Sequence, residues 1–148
     1  MKIKKPKPIE GSKNIPPAPE LNENAEIRFS FRYLDIHSNA KFMLKHCDEN
    51  YLEKLLLRLK DINSATLKEF RQFNKAEMRN HVIVFSETSE PGGFTSLNGQ
   101  LRAKEAWQFQ ITKSTHGRVH GLLINETFFI VWLDPCHKLY PGNGDCNH

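Results

Sequence analysis

From Glu26 onward apolar and polar residues alternate, with Ile27, Phe29, Phe31 and Tyr33 separated by Arg28, Ser30 and Arg32. A period of two sends one set of side chains to one face, so this segment is predicted to be a half-buried strand. The spacing then changes. Leu52, Leu55, Leu56 and Leu59 recur at i, i+3, i+4 and i+7 within residues 48–62, while Glu53, Lys54, Arg58 and Lys60 fall on the other side, which predicts an amphipathic helix. Asn63 and Ser64 are candidate caps, and Thr66-x-x-Glu69 is a capping-box pattern ahead of Leu67, Phe70 and Phe73, so a second helix follows.

Beyond residue 80 the pattern is that of strands. Val82–Phe85 is a short apolar run that fits a buried strand, and a long connection rich in Ser, Glu and Gly leads to Trp107, Phe109 and Ile111, which alternate with Gln108, Gln110 and Thr112. Residues 117–124 and 127–134 flank Asn125-Glu126, a break of the length used by tight hairpins. Closing the hairpin there sets Ile124 against Thr127, His120 against Val131 and Arg118 against Leu133. Phe128 to Leu133 are apolar without alternation, as expected of a central strand covered on both faces. The predicted order β-α-α-β-β-β-β gives an α+β fold, an antiparallel-rich sheet with two helices packed on one face.

Composition sets the limits of this domain. A chain of 148 residues suits one core, and no stretch approaches the roughly 18 apolar residues of a membrane-spanning helix. The basic start, Met1 to Lys7, runs into Pro8, Ile9, Glu10 and Gly11 and not into an apolar core, so it does not read as a secretory signal and a cytoplasmic address is expected. Five of the 8 prolines fall in residues 1–25, which read as an extended or disordered arm; residues 26–141 form the domain, and 142–148 a short polar tail. The net charge of +4 permits a polyanionic partner without requiring one. Cys47, Cys136 and Cys146 are too few and too unevenly placed for a disulfide framework, so reduced thiols are expected. They also lack metal-site spacing, and the chain has neither a P-loop nor a nucleophile elbow, so no metal or cofactor is expected.

Candidate chemistry gathers where the last strand ends. Arg118 is carried beside the exit of residues 127–134, which leads into Asp134-Pro135-Cys136-His137-Lys138-Leu139-Tyr140. An arginine can grip phosphate through two parallel hydrogen bonds, and an imidazole or a phenol can move protons, so the set suits a phosphodiester.

At this level the chain resembles the RelE/YoeB superfamily of toxin endoribonucleases. The resemblance runs over residues 97–140: Leu97-Asn-Gly-Gln-Leu101 before Trp107-Gln-Phe-Gln-Ile111 is similar to the family's leucine-containing connection into a strand with an aromatic start. Gly117-Arg118-Val119-His120 resembles its arginine-bearing strand, and His137-Lys138-Leu139-Tyr140 its C-terminal basic and tyrosine segment. The chain departs from the family where some members carry a glutamate, since Thr95 and Ser96 precede Leu97 here. The resemblance implies a RelE-like fold that cuts mRNA without metal, by attack of the 2′-hydroxyl on the adjacent phosphate, in some members on the ribosome. Arg118 would stabilise the added charge, His137 or Tyr140 would protonate the leaving oxygen, and His120 is a further base candidate. Lys138, Lys113 and Arg102 are candidate RNA contacts, and an antitoxin protein is an expected partner. A module of the same fold that binds RNA or protein without cutting is the alternative.

Overall fold

The structure, a computed structural model, describes residues 21–72, 80–112 and 117–140. Within it, the hairpin of β4 (Arg118–Ile124) and β5 (Thr127–Asp134) turns at Asn125-Glu126, where Asn125 takes the left-handed φ of 55° that asparagine tolerates better than most residues. Three further strands, β1 (Arg28–Ser30), β2 (His81–Val82) and β3 (Ala106–Gln110), complete a mixed five-stranded sheet of order β1-β5-β4-β3-β2. β1 runs parallel to β5, and the remaining pairs are antiparallel. The predicted class and order of α-helices and strands are found among the described residues, with one added short α-helix and three 3-10 turns.

The hairpin register departs from the expectation part-way along. Ile124 faces Thr127 as predicted, but His120 faces Trp132 and Arg118 faces Asp134, because Gly121 pairs with Ile130 and Val131 is an extra residue on β5. Such a bulge reverses the phase of everything beyond it. Phe128 and Ile130 pack toward the helices, Val131 and Trp132 both join the cluster on the opposite face, and Leu133 returns to the helix side. Gly121 makes room for the irregularity: a Cβ there would overlap the Phe129 carbonyl oxygen and stand 2.6 Å from Phe128 Cε1.

One face of the sheet is covered by α1 (Glu49–Asn63) and α2 (Leu67–Gln72). Asp48 caps α1 by accepting the Tyr51 N–H at 2.8 Å. The buried stripe of α1 is Tyr51, Leu55, Leu59 and Ile62; Leu56, assigned to it by spacing, is 65% exposed. At α2 the capping box forms, Thr66 N–H to Glu69 at 2.9 Å and Glu69 N–H to Thr66 at 3.1 Å, so Thr66 replaces Asn63 and Ser64 as the cap. Phe73 lies outside the described residues.

The other face is covered by loops and short turns, whose Phe42, Ile83, Phe94 and Leu139 pack with Leu122, Val131 and Trp132. β5 is therefore an inner strand, second in the order, and is covered on both faces, as its unbroken apolar run predicts. Two expectations fail at the sheet margins. β1 spans only three residues before the chain turns, leaving Phe31 exposed, and the apolar run at residue 82 yields a two-residue edge strand from which Val82 and Val84 point to solvent. Residues 22–25, placed in the arm by composition, instead form a turn whose Glu23 and Ala25 carbonyls accept the N–H groups of Lys68 and Leu67. Residues 1–20 and 141–148 lie outside the described residues. Among the described residues no helix is long and apolar enough to cross a membrane.

The bulge makes a stability prediction. Gly121→Ala should lower unfolding free energy by about 1–3 kcal/mol or more, the range of an overpacked core site, at its upper end here because the obstacle is backbone. Gly99 has no atom within 4 Å of the corresponding Cβ position, so Gly99→Ala should be neutral or raise stability by a few tenths to about 1 kcal/mol. Urea denaturation of both variants checks this, and equal effects would remove the close-approach argument.

Candidate functional site

The sheet face turned away from α1 and α2 carries a polar strip. Its two cross-strand rows, His81-Gln108-His120-Trp132 and Gln110-Arg118-Asp134, lie side by side, in phase with apolar Ala106 and Leu122. At their junction His120 Nε2 stands 2.8 Å from Asp134 Oδ2, with neither side chain exposed. The pairing is diagonal on one face, and it exists because the bulge has turned Asp134 over.

Asp134 collects two further donors, the Lys138 N–H on Oδ1 at 2.8 Å and the Leu139 N–H on Oδ2 at 3.1 Å. Burial opposes its ionisation, but the bonds from His120, Lys138 and Leu139 outweigh burial and hold the carboxyl below its usual range. His120 moves the other way from a typical paired histidine: complete burial first, then the nearby Arg118 and His81, lower its pKa against the opposing pull of Asp134. The pair is thus an ionised carboxylate and a neutral imidazole, with Nε2–H donated to Asp134 and Nδ1 left as an acceptor.

By binding two successive N–H groups, Asp134 shapes the segment after β5. The chain turns through Pro135 and Cys136, His137 adopts a left-handed φ of 56°, and its N–H lies 3.5 Å from the Asp134 carbonyl. That conformation is costly for a residue with a Cβ, of order 1–2 kcal/mol, and the carboxylate bonds that follow it offset the strain. Ser89 clamps the next two residues, its hydroxyl donating to the Lys138 carbonyl and its N–H to the Leu139 carbonyl, both at 2.8 Å. Leu139 is buried, and the Tyr140 ring lies between His137 at 5.9 Å and His81 at 5.8 Å.

The protonation states here follow from the partners. His81 Nδ1 is 2.9 Å from the Val82 carbonyl, which can only accept, so Nδ1 carries the proton and Nε2 accepts from the Gln108 amide at 2.9 Å. Burial raises the Tyr140 phenol, although its oxygen accepts a bond from the Val84 N–H, so Tyr140 holds its proton at neutral pH. Arg118 is 7% exposed on an inner strand and donates to the Gly117 carbonyl at 3.1 Å. Its own carbonyl accepts the Tyr51 hydroxyl at 2.8 Å, tying the strand to α1. Although Arg118 sits opposite Asp134, the side chain that bonds Asp134 is that of His120, as a neutral donor.

Four expected site residues, Arg118, His120, His137 and Tyr140, are thus brought to one end of one face. Lys138 lies at its rim and is exposed. Arg102 is elsewhere, at the end of the short helix α3 (Gly99–Arg102), with Nη2 donating to the Gly92 carbonyl at 2.7 Å. Lys113 lies outside the described residues. Sequence reasoning missed His81, Gln108 and Gln110 as members and offered Asp134 only as a partner for Arg118, where the structure gives it to His120. The signal available was that the residues between Trp107, Phe109 and Ile111 are uncharged glutamines, which suits a buried polar strip better than an open face.

The cysteines divide. Cys47 has a free thiol, pushed up to about 11 by burial first and then by Asp134 and Asp48, so it is no thiolate nucleophile at neutral pH. Cys136 is disulfide-bonded, which overturns the expectation of reduced thiols at that position. Among the described residues no three His, Cys, Asp or Glu side chains are grouped to hold a metal ion. In comparisons with known proteins, no family model, no curated protein and no solved structure matches the chain.

The buried pair predicts a pH dependence of definite sign. Unfolded His120 takes up a proton around pH 6.5 while the folded ring, its pKa lowered, takes it up only at lower pH, so stability should fall as pH drops from 7.5 toward 5.5, by at most about 1.4 kcal/mol per pH unit for this group. The lowered Asp134 carboxyl contributes stability that is present above the ordinary carboxylate range and lost only in stronger acid, outside this window. In His120→Gln the slope should be smaller by a fraction of a proton near pH 7.5, rising toward at most one proton near pH 5.5. Parallel slopes for wild type and variant, measured by urea denaturation, would show that His120 titrates alike in both states.

Proposed function

We propose that the protein is an endoribonuclease that cuts RNA without a metal, with His137 and Tyr140 moving protons and Arg118 supplying charge. The observation that carries this reading is the Asp134 carboxylate, opposite Arg118 in the sheet, bonding the Lys138 and Leu139 N–H groups of the segment that brings the His137 and Tyr140 rings within 5.9 Å of each other. In the proposed reaction the RNA 2′-hydroxyl attacks the neighbouring phosphorus, a 2′,3′-cyclic phosphate forms, and the 5′-oxygen leaves with a proton. A phenol whose pKa is raised is protonated before the reaction, so Tyr140 is suited to donate that proton, and His137 to accept the one released by the 2′-hydroxyl. His120 changes role from the base candidate of the sequence reading: fully buried and bonded to Asp134, it is a positioning residue.

A second reading keeps the fold and gives up cleavage. What favours it is burial, since His120 and Asp134 are inaccessible and Arg118 nearly so, which suits an architectural polar cluster under an RNA-binding or protein-binding surface. The nuclease reading entails mRNA, free or on the ribosome, as substrate, a cytoplasmic site of action and an antitoxin-like protein as restraint. The Cys136 disulfide weighs against the cytoplasm, where thiols are kept reduced.

The test uses half-buried His137 and Tyr140, because alanine at buried Arg118 reports on folding as much as on chemistry. His137→Ala and Tyr140→Phe should each retain the wild-type melting temperature within a few degrees and lose about 10²–10⁴ in cleavage rate with EDTA present. Arg118→Lys, which keeps the charge and loses the planar fork, should retain part of the activity. Wild-type protein that binds RNA and leaves its ends intact supports the binding module; undiminished cleavage by both variants removes the assigned acid and base.

A further inference from the structure

On the sheet face turned away from α1 and α2, the polar strip holds three buried acceptors that no described residue satisfies: Gln108 Oε1, Gln110 Oε1 and His120 Nδ1. Their character as acceptors follows from what the other end of each group does. His120 Nε2 lies 2.8 Å from the Asp134 carboxylate, which accepts its N–H and leaves Nδ1 with a bare lone pair. Gln110 Nε2 donates to the Thr112 carbonyl, so turning its amide over would set oxygen against oxygen. The Gln108 amide is fixed one step further away. His81 Nδ1 donates to the Val82 carbonyl, His81 Nε2 therefore accepts, and Gln108 Nε2 is its donor. The three remaining atoms all carry lone pairs and no hydrogen.

The sheet sets these side chains together. Gln108 is the cross-strand partner of His120, Gln110 follows two residues along β3 in the next row, and all three rise from one face. Cross-strand neighbours on one face have Cβ atoms about 4.5–5.5 Å apart, so their side chains share a space. Gln108 and Gln110 are each 2% exposed and His120 is 0% exposed, with the Phe42 ring 6.1 Å from the imidazole. A buried acceptor without a donor gives up its hydration for nothing, and folded proteins satisfy such groups in nearly every case. The shared space calls for a donor.

The charge of the strip selects its kind. A cation such as ammonium needs an unbalanced negative charge, but the ionised Asp134 stands opposite Arg118 on the neighbouring strand, and the two charges cancel. The neutral molecule that presents hydrogens to several acceptors in a small buried space is water.

We infer that the polar strip is a binding site for internal water, which donates to His120 Nδ1 and to the amide oxygens of Gln108 and Gln110. The water fixes the imidazole at its second nitrogen, as Asp134 fixes it at the first. It therefore helps to hold the carboxylate that shapes the segment after β5, whether or not the protein cuts RNA.

NMR of the isotope-labelled full chain at about pH 7.5, where the ordinary imidazole is neutral, tests the site. The reporter is the His120 Cε1–H proton, which lies beside Nδ1 and does not exchange with solvent. It should show a cross-peak to water with the sign of a molecule held longer than the protein takes to tumble, and Nδ1 should carry no hydrogen. In Gln108→Met/Gln110→Met, His120 Nδ1 is the last of the three acceptors. A buried water needs roughly two to four polar partners, so the cross-peak should be lost. Ammonium chloride in place of sodium chloride should leave the wild-type cross-peak unchanged. Absence of the cross-peak in wild type overturns the site, as does a hydrogen on Nδ1, and both readings hold even if the double variant fails to fold. An undiminished cross-peak in the folded double variant overturns the sharing with the glutamines. Loss of the cross-peak in ammonium assigns the space to a cation and overturns the water.

Discussion

The buried carboxylate of Asp134 is the constraint on which the rest of this structure depends. An ionised carboxylate without water must find donors, and Asp134 finds them in His120, Lys138 N–H and Leu139 N–H. Each bond has a structural consequence. The first fixes the tautomer of a neutral imidazole in the middle of the sheet, and the other two bend the segment after β5 back across that sheet. Removing the carboxylate would leave two backbone donors and one imidazole donor without their partner together, so the group acts as a hub and not as one more hydrogen bond.

That hub exists because of a single extra residue. Had the register set at Asn125-Glu126 run unbroken along the hairpin, Asp134 would face α1 and α2 with Leu133 on His120's side. Val131 absorbs one residue, the phase reverses, and the acid joins His120 on the loop-covered face. The bulge in turn needs Gly121, since the backbone of β5 occupies the space where any side chain would begin. A glycine, an extra valine and an aspartate thirteen residues beyond that glycine therefore act as one device, with the geometry of the candidate site as its product.

The same device explains why both faces of the sheet are closed by unlike means. Helices supply the lid on the side where apolar residues recur without interruption. On the other side short turns and the C-terminal segment suffice, because Phe42, Phe94 and Leu139 contact Trp132 and its neighbours while the polar strip is satisfied in part from within. A face covered by loops leaves clefts between its covers, and the shallow pocket lined by Phe85, Gly92 and Arg102 is one such cleft.

The class, the element order, the capping box at Thr66 and the enclosure of β5 were legible in the sequence, because each depends on near neighbours whose periodicity the chain displays openly. The turn at Asn125-Glu126 and the pairing of Ile124 with Thr127 were also legible, since a two-residue break leaves a tight hairpin few ways to start. Other features required the folded chain. Leu56 belongs to the apolar spacing of α1 yet faces solvent, because the orientation of a helix is decided by what it packs on. Gln108 and Gln110 alternate like an open face and are buried, because the covering residues come from distant parts of the chain. The exchange of roles between His120 and Asp134 depended on the bulge, which no local pattern marks. Sequence periodicity determined which elements form, and tertiary packing decided which side chains share a face, because a one-residue slip in pairing costs nothing locally and reverses everything across the sheet.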